Sequence, residues 1–392
     1  MAVQGRPSGP VTGIAARRIH DAGQARHATW LELFFDLVVV VAVSRLGVRL
    51  HGDHSASGVA AFSGLLVVIW WIWISFSYFA DLFDDDRVLD RTAQLLAMVG
   101  VAVAALALPG SGTAPPEVFA AANAALFALL AALYVHAGRS EPRARELCRW
   151  YTVGSLTGMG LWLVSLALGP PARYLVWGLA VTANAVISGP LAYARMRHPP
   201  VQVSHMPERF GLFMLVVLGE SILAVVNGVA HVHFGGDAVL IGLAGFLIAA
   251  CLWWVYFDGF DEAAINRAIA GGSRAQVRSF LYGYGHLLIY AAIVVTGVGI
   301  QLAIEQTARA GEPVPLIGLG VAAVVAGFFL TSVGIGRRAT PLLASVKLAI
   351  AALGLGLAVA GVPPAATTLT LATALFLLVV LEWRRAPERG YL

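Results

Sequence analysis

Runs of about 20 predominantly apolar residues recur along the whole chain, separated by short charged segments. That pattern leaves one class of fold. At 1.5 Å per residue each run is long enough to cross a hydrocarbon core of roughly 30 Å. Lipid offers no hydrogen bonds to a backbone, so each crossing must satisfy its own amides as a helix. Composition agrees: 59% of the residues are hydrophobic and 12% charged, where a soluble domain carries about 25% charged residues. A soluble globular protein is excluded. The expected architecture is an all-α polytopic membrane protein with spans at about 29–50, 58–80, 89–108, 116–137, 148–168, 172–195, 208–230, 237–258, 279–304, 315–335, 341–360 and 363–381.

Charge tests the count independently. With the N-terminus in the cytoplasm, the cytoplasmic side receives 21 of the 25 arginines, among them Arg91 and Arg209. The outer loops receive Arg45, Arg49, Arg173 and Arg309, and Lys347 falls inside a span. Cytoplasmic loops are the basic ones in membrane proteins, and one missed helix would scramble the alternation. Twelve spans with both termini cytoplasmic are therefore expected, in the cell membrane, with basic tails at 1–28 and 383–392. The net charge of +4 is spread over many short loops, so the partner is a lipid bilayer and no nucleic acid is implied. Cys148 and Cys251 are expected at different depths, and they suggest neither a disulfide nor a metal site.

The chain also repeats itself. "RHATWLELFFDLVVV" (26–40) aligns without gaps on "SHMPERFGLFMLVVL" (204–218), and Tyr78-Phe79 recurs as Tyr256-Phe257 at the same offset of 178. Both of those tyrosine-containing helices end in acids. Two halves, 29–200 and 204–382, are expected. Six helices is an even number, so the halves would be parallel repeats related by an axis along the membrane normal.

Ionisable groups inside a membrane are expensive and default to function. Glu32 and Asp36 lie four apart in the first span and share one helix face. They line a cytoplasmic half-channel, or else they are interfacial acids paired with Arg91. Glu220 follows Glu208 by twelve residues, about 18 Å of helix, which places it near the midplane. Gly219 beside it offers a close helix approach. Its expected partners are Lys347, the only lysine, and His286, beside Tyr282, Tyr284 and Tyr290. Lysine and histidine can both shed a proton, as coupling to a proton gradient requires.

Two acidic clusters sit at one face. The spacing Asp81-x-x-Asp84 recurs as Asp258-x-x-Asp261. These are solvated loops, or they hold Mg²⁺ through carboxylate and water oxygens. The stretches "VVIWWIWISFSYF" (67–79) and "CLWWVYF" (251–257) are either an interfacial girdle or an aromatic wall for a substrate.

Taken in order, "TWLELFFDLVVVVAVSRL", the "YF…D" helix exits, "ERFGLFMLVVLGESILAV" and "YGYGHLLIYAAIVVTGVG" resemble the bacterial low temperature requirement protein A (LtrA) family, from about residue 25 to 305. Val39 and Val40 stand where that family often has an aromatic. The resemblance implies a multi-pass bacterial membrane protein and no particular chemistry. Function has to come from the site. The leading expectation is a proton- or cation-linked transporter using Glu220, Asp36 and Glu32, with Arg91 and Lys347 as counter-ions. The alternative is an integral-membrane enzyme acting on an isoprenoid or lipid, by Mg²⁺-diphosphate or acid-initiated chemistry. Its candidate catalytic acids are Glu32, Asp36 and Glu220. The Asp-x-x-Asp segments are weakly similar to the paired motifs of membrane prenyltransferases, without the flanking Asn. Neither a substrate nor an oligomeric state is legible in the chain.

Overall fold

The computed structural model describes residues 29–83, 87–110, 112, 114–196, 206–232, 234–259, 265, 272–306, 315–335 and 340–385, with backbone alone at 272–276. Among these, twelve helices fall on the expected segments. They are α1 Trp30–Gly52, α2 Ala56–Leu82, α3 Val88–Leu106, α4 Pro116–Ser140, α5 Arg145–Ser165, α6 Ala172–Arg195, α7 Met206–His231, α8 Gly236–Phe257, α9 Gly272–Gln306, α10 Leu316–Gly334, α11 Pro341–Val359 and α12 Pro364–Arg385. Ten of them are long and apolar enough to cross a membrane by length and composition. The other two are α1, which carries Glu32, Asp36, Arg45 and Arg49, and α5, which opens on Arg145, Glu146 and Arg149.

Local chemistry sets the helix ends. Thr29 and Glu32 form a capping box at the start of α1, each satisfying a backbone N–H of the other. Ser55 caps α2 by accepting from the Gly58 amide. Proline occupies the first turn of α4 and α11, where the missing N–H costs nothing. In α6 a π turn, Ile187–Leu191, absorbs Pro190.

The packing order is the same in each run of six helices. In the first run α1 lies on α2 and α3, α3 on α4, α4 on α5, α5 on α6, and α2 on α6. In the second run α7 lies on α8 and α9, α9 on α10, α10 on α11, α11 on α12, and α8 on α12. The two runs meet where α1 and α2 touch α7 and α9.

The most extensive helix pair, α9 with α10, is built on glycine. A Cβ on Gly320, Gly327 or Gly334, seven residues apart on one face of α10, would lie 2.9, 3.2 and 2.7 Å from the backbone nitrogens of Thr296, Ile289 and Tyr282. Close backbone approach of this kind is how helices associate in lipid, where no hydrophobic force draws them together.

A buried charged junction as candidate functional site

The first two turns of α1 carry the acids, and the fold turns both inward. Glu32 and Asp36 are almost fully buried. Glu32 spends much of its hydrogen-bonding capacity on the helix start: its Oε2 accepts from the Thr29 amide at 2.7 Å and from Thr29 Oγ1 at 3.1 Å. Asp36, one turn deeper, has a different environment. Its Oδ1 accepts from Trp73 Nε1 on α2 at 2.7 Å and from Arg209 Nη2 on α7 at 2.7 Å. Arg209 also reaches Glu32, Nη1 to Oε1 at 3.8 Å.

One arginine from the second run of helices thus neutralises an acid pair from the first. Trp73 and Arg209 are themselves 0% and 1% exposed. Phe210, Phe213 and Tyr290 ring the indole at 5.5, 4.5 and 6.5 Å between centroids. Removing charges from water costs several kcal/mol each, and the loss is recovered only if the pair is close and well bonded. This junction is close but incompletely bonded. Among the described residues, Asp36 Oδ2, Arg209 Nε and Arg209 Nη1 are buried without a hydrogen-bond partner.

The neighbouring residue of α7 builds a second cluster. Phe210 stacks on the His286 ring at 4.5 Å and 24°, and its carbonyl accepts from the Tyr290 hydroxyl at 2.8 Å. His286 Nδ1 lies 2.7 Å from the Tyr282 carbonyl and Nε2 lies 2.8 Å from the Tyr256 hydroxyl. A carbonyl only accepts, so Nδ1 carries the proton, and in the neutral ring Nε2 accepts from Tyr256. Both ring nitrogens are satisfied.

The remaining candidates scatter. Lys347 does not meet Glu220: its Nζ pairs with Glu382 Oε1 on α12 at 3.0 Å. Glu382 lies one residue past the expected span 363–381, beside Arg384 and Arg385, so nothing in the sequence singles it out as the lysine's partner. Glu220 is half-buried on α7, away from His286, whose nitrogens are taken. Gly219 beside it is exposed, with open space where a Cβ would stand. The close approaches on this helix are instead at Gly228, where an added Cβ would lie 3.3 Å from the Gln301 backbone, and at Ser221, whose Cα would lie 3.0 Å from a Cβ on Gly297 of α9. Arg91 is exposed in the first turn of α3. Asp81 and Asp258 end α2 and α8, while Asp84 and Asp261 lie outside the described residues. Among the described residues no three His, Cys, Asp or Glu side chains gather as a metal site. The aromatic stretches divide: Trp70 and Trp73 are buried, whereas Trp253 and Trp254 are 44% and 39% exposed.

Sequence reasoning passed over Arg209 by counting it among loop charges. A signal was present. In the 178-residue alignment Arg209 falls beside the acids' positions, one turn into α7, so the two helices bring opposite charges to similar depth. Trp73 belongs to a stretch that the sequence reads as a girdle or an aromatic wall, and which tryptophan of the run turns inward onto Asp36 is a matter of packing.

Comparison with known proteins bears on this architecture. The model of the bacterial low temperature requirement A protein (LtrA) family matches residues 27–381. An uncharacterized protein of Rhizobium meliloti (strain 1021) is 29% identical over 307 residues, covering 72% of this chain and 71% of its own. No solved structure matches. The chain belongs to the LtrA family and is a multi-pass membrane protein.

Proposed function

We propose that this LtrA-family member is a proton-linked secondary transporter of the cell membrane, with Asp36 as the group that takes and releases the proton. In this reading all twelve helices cross the bilayer, both ends are cytoplasmic, and α1–α6 and α7–α12 are parallel halves. The shared packing order of the two runs supports that division, together with the 178-residue repeat.

The observation that carries the reading is the unfinished bonding at the junction. Among the described residues Asp36 has a buried oxygen with no hydrogen-bond partner, next to a buried arginine whose Nε has none and whose Nη1 meets Glu32 only as an ion pair at 3.8 Å. A proton on Asp36 cancels its attraction for Arg209 and so weakens the contact between halves. Loss of the proton restores it. Trp73 and Glu32 hold Asp36 and Arg209 in register. At the other end of α1, His51 Nε2 meets Glu305 Oε2 of α9 at 2.9 Å. Contacts between halves at opposite ends of one helix are what alternating access needs, since each can open while the other holds. Glu220 remains a second protonatable group on α7. Lys347 and His286 are assigned structural roles by their satisfied partners.

The test is proton flux into liposomes holding a pH-sensitive dye, under an imposed potential, with wild type beside Asp36→Asn and Glu220→Gln. Asparagine keeps the volume and the oxygen that accepts from Trp73 and removes the proton site. Because it also removes the charge opposite Arg209, unfolding in detergent is measured beside flux to separate a lost proton site from a lost fold. Abolished flux in Asp36→Asn is expected. Undiminished flux would remove Asp36 from the pathway. Turnover of an isoprenoid diphosphate with Mg²⁺, with no flux in wild type, would replace transport by the enzyme reading.

A further inference from the structure

We propose that the turn between α4 and α5 is a binding site for the phosphate headgroup of an anionic phospholipid. A cavity of about 410 Å³ opens there, lined by Arg143, Arg145, Arg149, Glu146 and an apolar floor that includes Phe83 and Met196. Three guanidiniums around one cavity favour an anion, and guanidinium matches phosphate in shape and in hydrogen-bonding directions. The binding groups are the guanidiniums and not the helix start: α5 continues from a 3-10 turn, Pro142–Ala144, whose Arg143 amide is capped by the Glu141 carboxylate and whose Pro142 carbonyl accepts from the Arg145 amide.

The helix below points to a lipid as the source of that phosphate. Val153, Leu156, Leu163 and Val164 are 44–55% exposed. They descend from Arg149 at helical spacing along one side of α5. A phosphate held at Arg149 would therefore have its acyl chains lying on that apolar strip. Free phosphate has no use for such a strip. The cavity belongs to the membrane face where α1 and α7 begin, which is the arginine-rich face, and basic pockets between helices at such a face suit anionic headgroups.

The experiment is native mass spectrometry of full-length protein released from bilayers of equal parts phosphatidylglycerol and phosphatidylcholine. Wild type is expected to carry phosphatidylglycerol out in preference. Arg143→Gln/Arg145→Gln/Arg149→Gln is expected to lose that preference by about tenfold or more. Arg149→Gln alone should lose part of it. All three arginines are exposed, so unfolding temperature in detergent should match wild type and separates lost binding from lost fold. Equal retention by the triple variant would overturn the proposal. So would equal retention of phosphatidylcholine, or inorganic phosphate displacing the lipid and stabilising the protein as well as phosphatidylglycerol does.

Discussion

Two intramembrane ion pairs show how differently the same chemistry can be used. Asp36–Arg209 joins the two runs of helices, is shut off on all sides, and leaves three polar atoms unbonded. Lys347–Glu382 joins two consecutive helices, α11 and α12, with the lysine 22% exposed, on a helix that turns most of its surface outward. The first pair is costly to build and, among the described residues, incompletely satisfied, which is the ground for proposing that it changes state. The second is a peripheral tie between neighbours. A buried ion pair is weak evidence for stability in itself. Position and spare bonding capacity separate the two.

The largest effect should come from breaking the central pair on one side only. Arg209→Met strands a buried Asp36 and is expected to cost about 3–5 kcal/mol. Asp36→Leu/Arg209→Met, which removes both charges, should recover most of that loss. Unfolding in mixed micelles measures both, and a double variant as unstable as the single would mean the arginine acts through packing on Trp73 instead. His286→Phe keeps the stacking on Phe210 but removes the two side-chain hydrogen bonds to the Tyr256 hydroxyl and the Tyr282 carbonyl. A loss of about 1–3 kcal/mol is expected. Proton flux should survive this change, which distinguishes a satisfied structural histidine from a relay.

How much of this could be read beforehand depended on distance along the chain. Helix positions were legible because hydrophobic runs and their caps are local: Thr29-x-x-Glu32 and Pro116 mark ends by themselves. The inward turn of Asp36 was legible from its depth between Phe35 and Leu37. Partners were not. Arg209 is 173 residues from Asp36 and Glu382 is 35 from Lys347, and nothing local ranks Glu220 below Glu382 as the lysine's mate. The ranking follows from α11 packing on α10 and α12, which a single sequence does not state.

The peripheral pair sharpens the contrast. Lys347→Met should cost about 1 kcal/mol, the usual scale of a polar contact between membrane helices. Combined with Glu220→Gln, its effect should add to within about 0.5 kcal/mol, as for groups that share no partner. Coupling beyond that would revive a link between Lys347 and Glu220 and weaken the assignment of coupling to Asp36.

The smallest expected effect lies outside the bilayer, at the turn from α1 to α2. Asp53 Oδ1 accepts from Ser55 Oγ at 2.6 Å and from the Ser55 amide at 3.2 Å. Those bonds favour the ionised form and hold the Asp53 carboxyl below its ordinary range. A lowered folded value means the contribution is fully present above the unfolded value and is lost as pH falls through the folded one. Asp53→Asn should therefore be less stable than wild type by a constant, small amount from neutral pH down to about pH 5, and the gap should close under more acid conditions. Ser55→Ala removes both the cap on Gly58 and the hydroxyl bond to Asp53, so it should narrow that acid dependence while costing about 1 kcal/mol at neutral pH. An acid dependence unchanged in Ser55→Ala would leave the carboxyl's shift to the amide alone. By contrast, under the proposed reading proton flux should follow Asp36 and ignore Asp53, since Asp36 lies at a contact between the two runs of helices and Asp53 lies in the turn between α1 and α2.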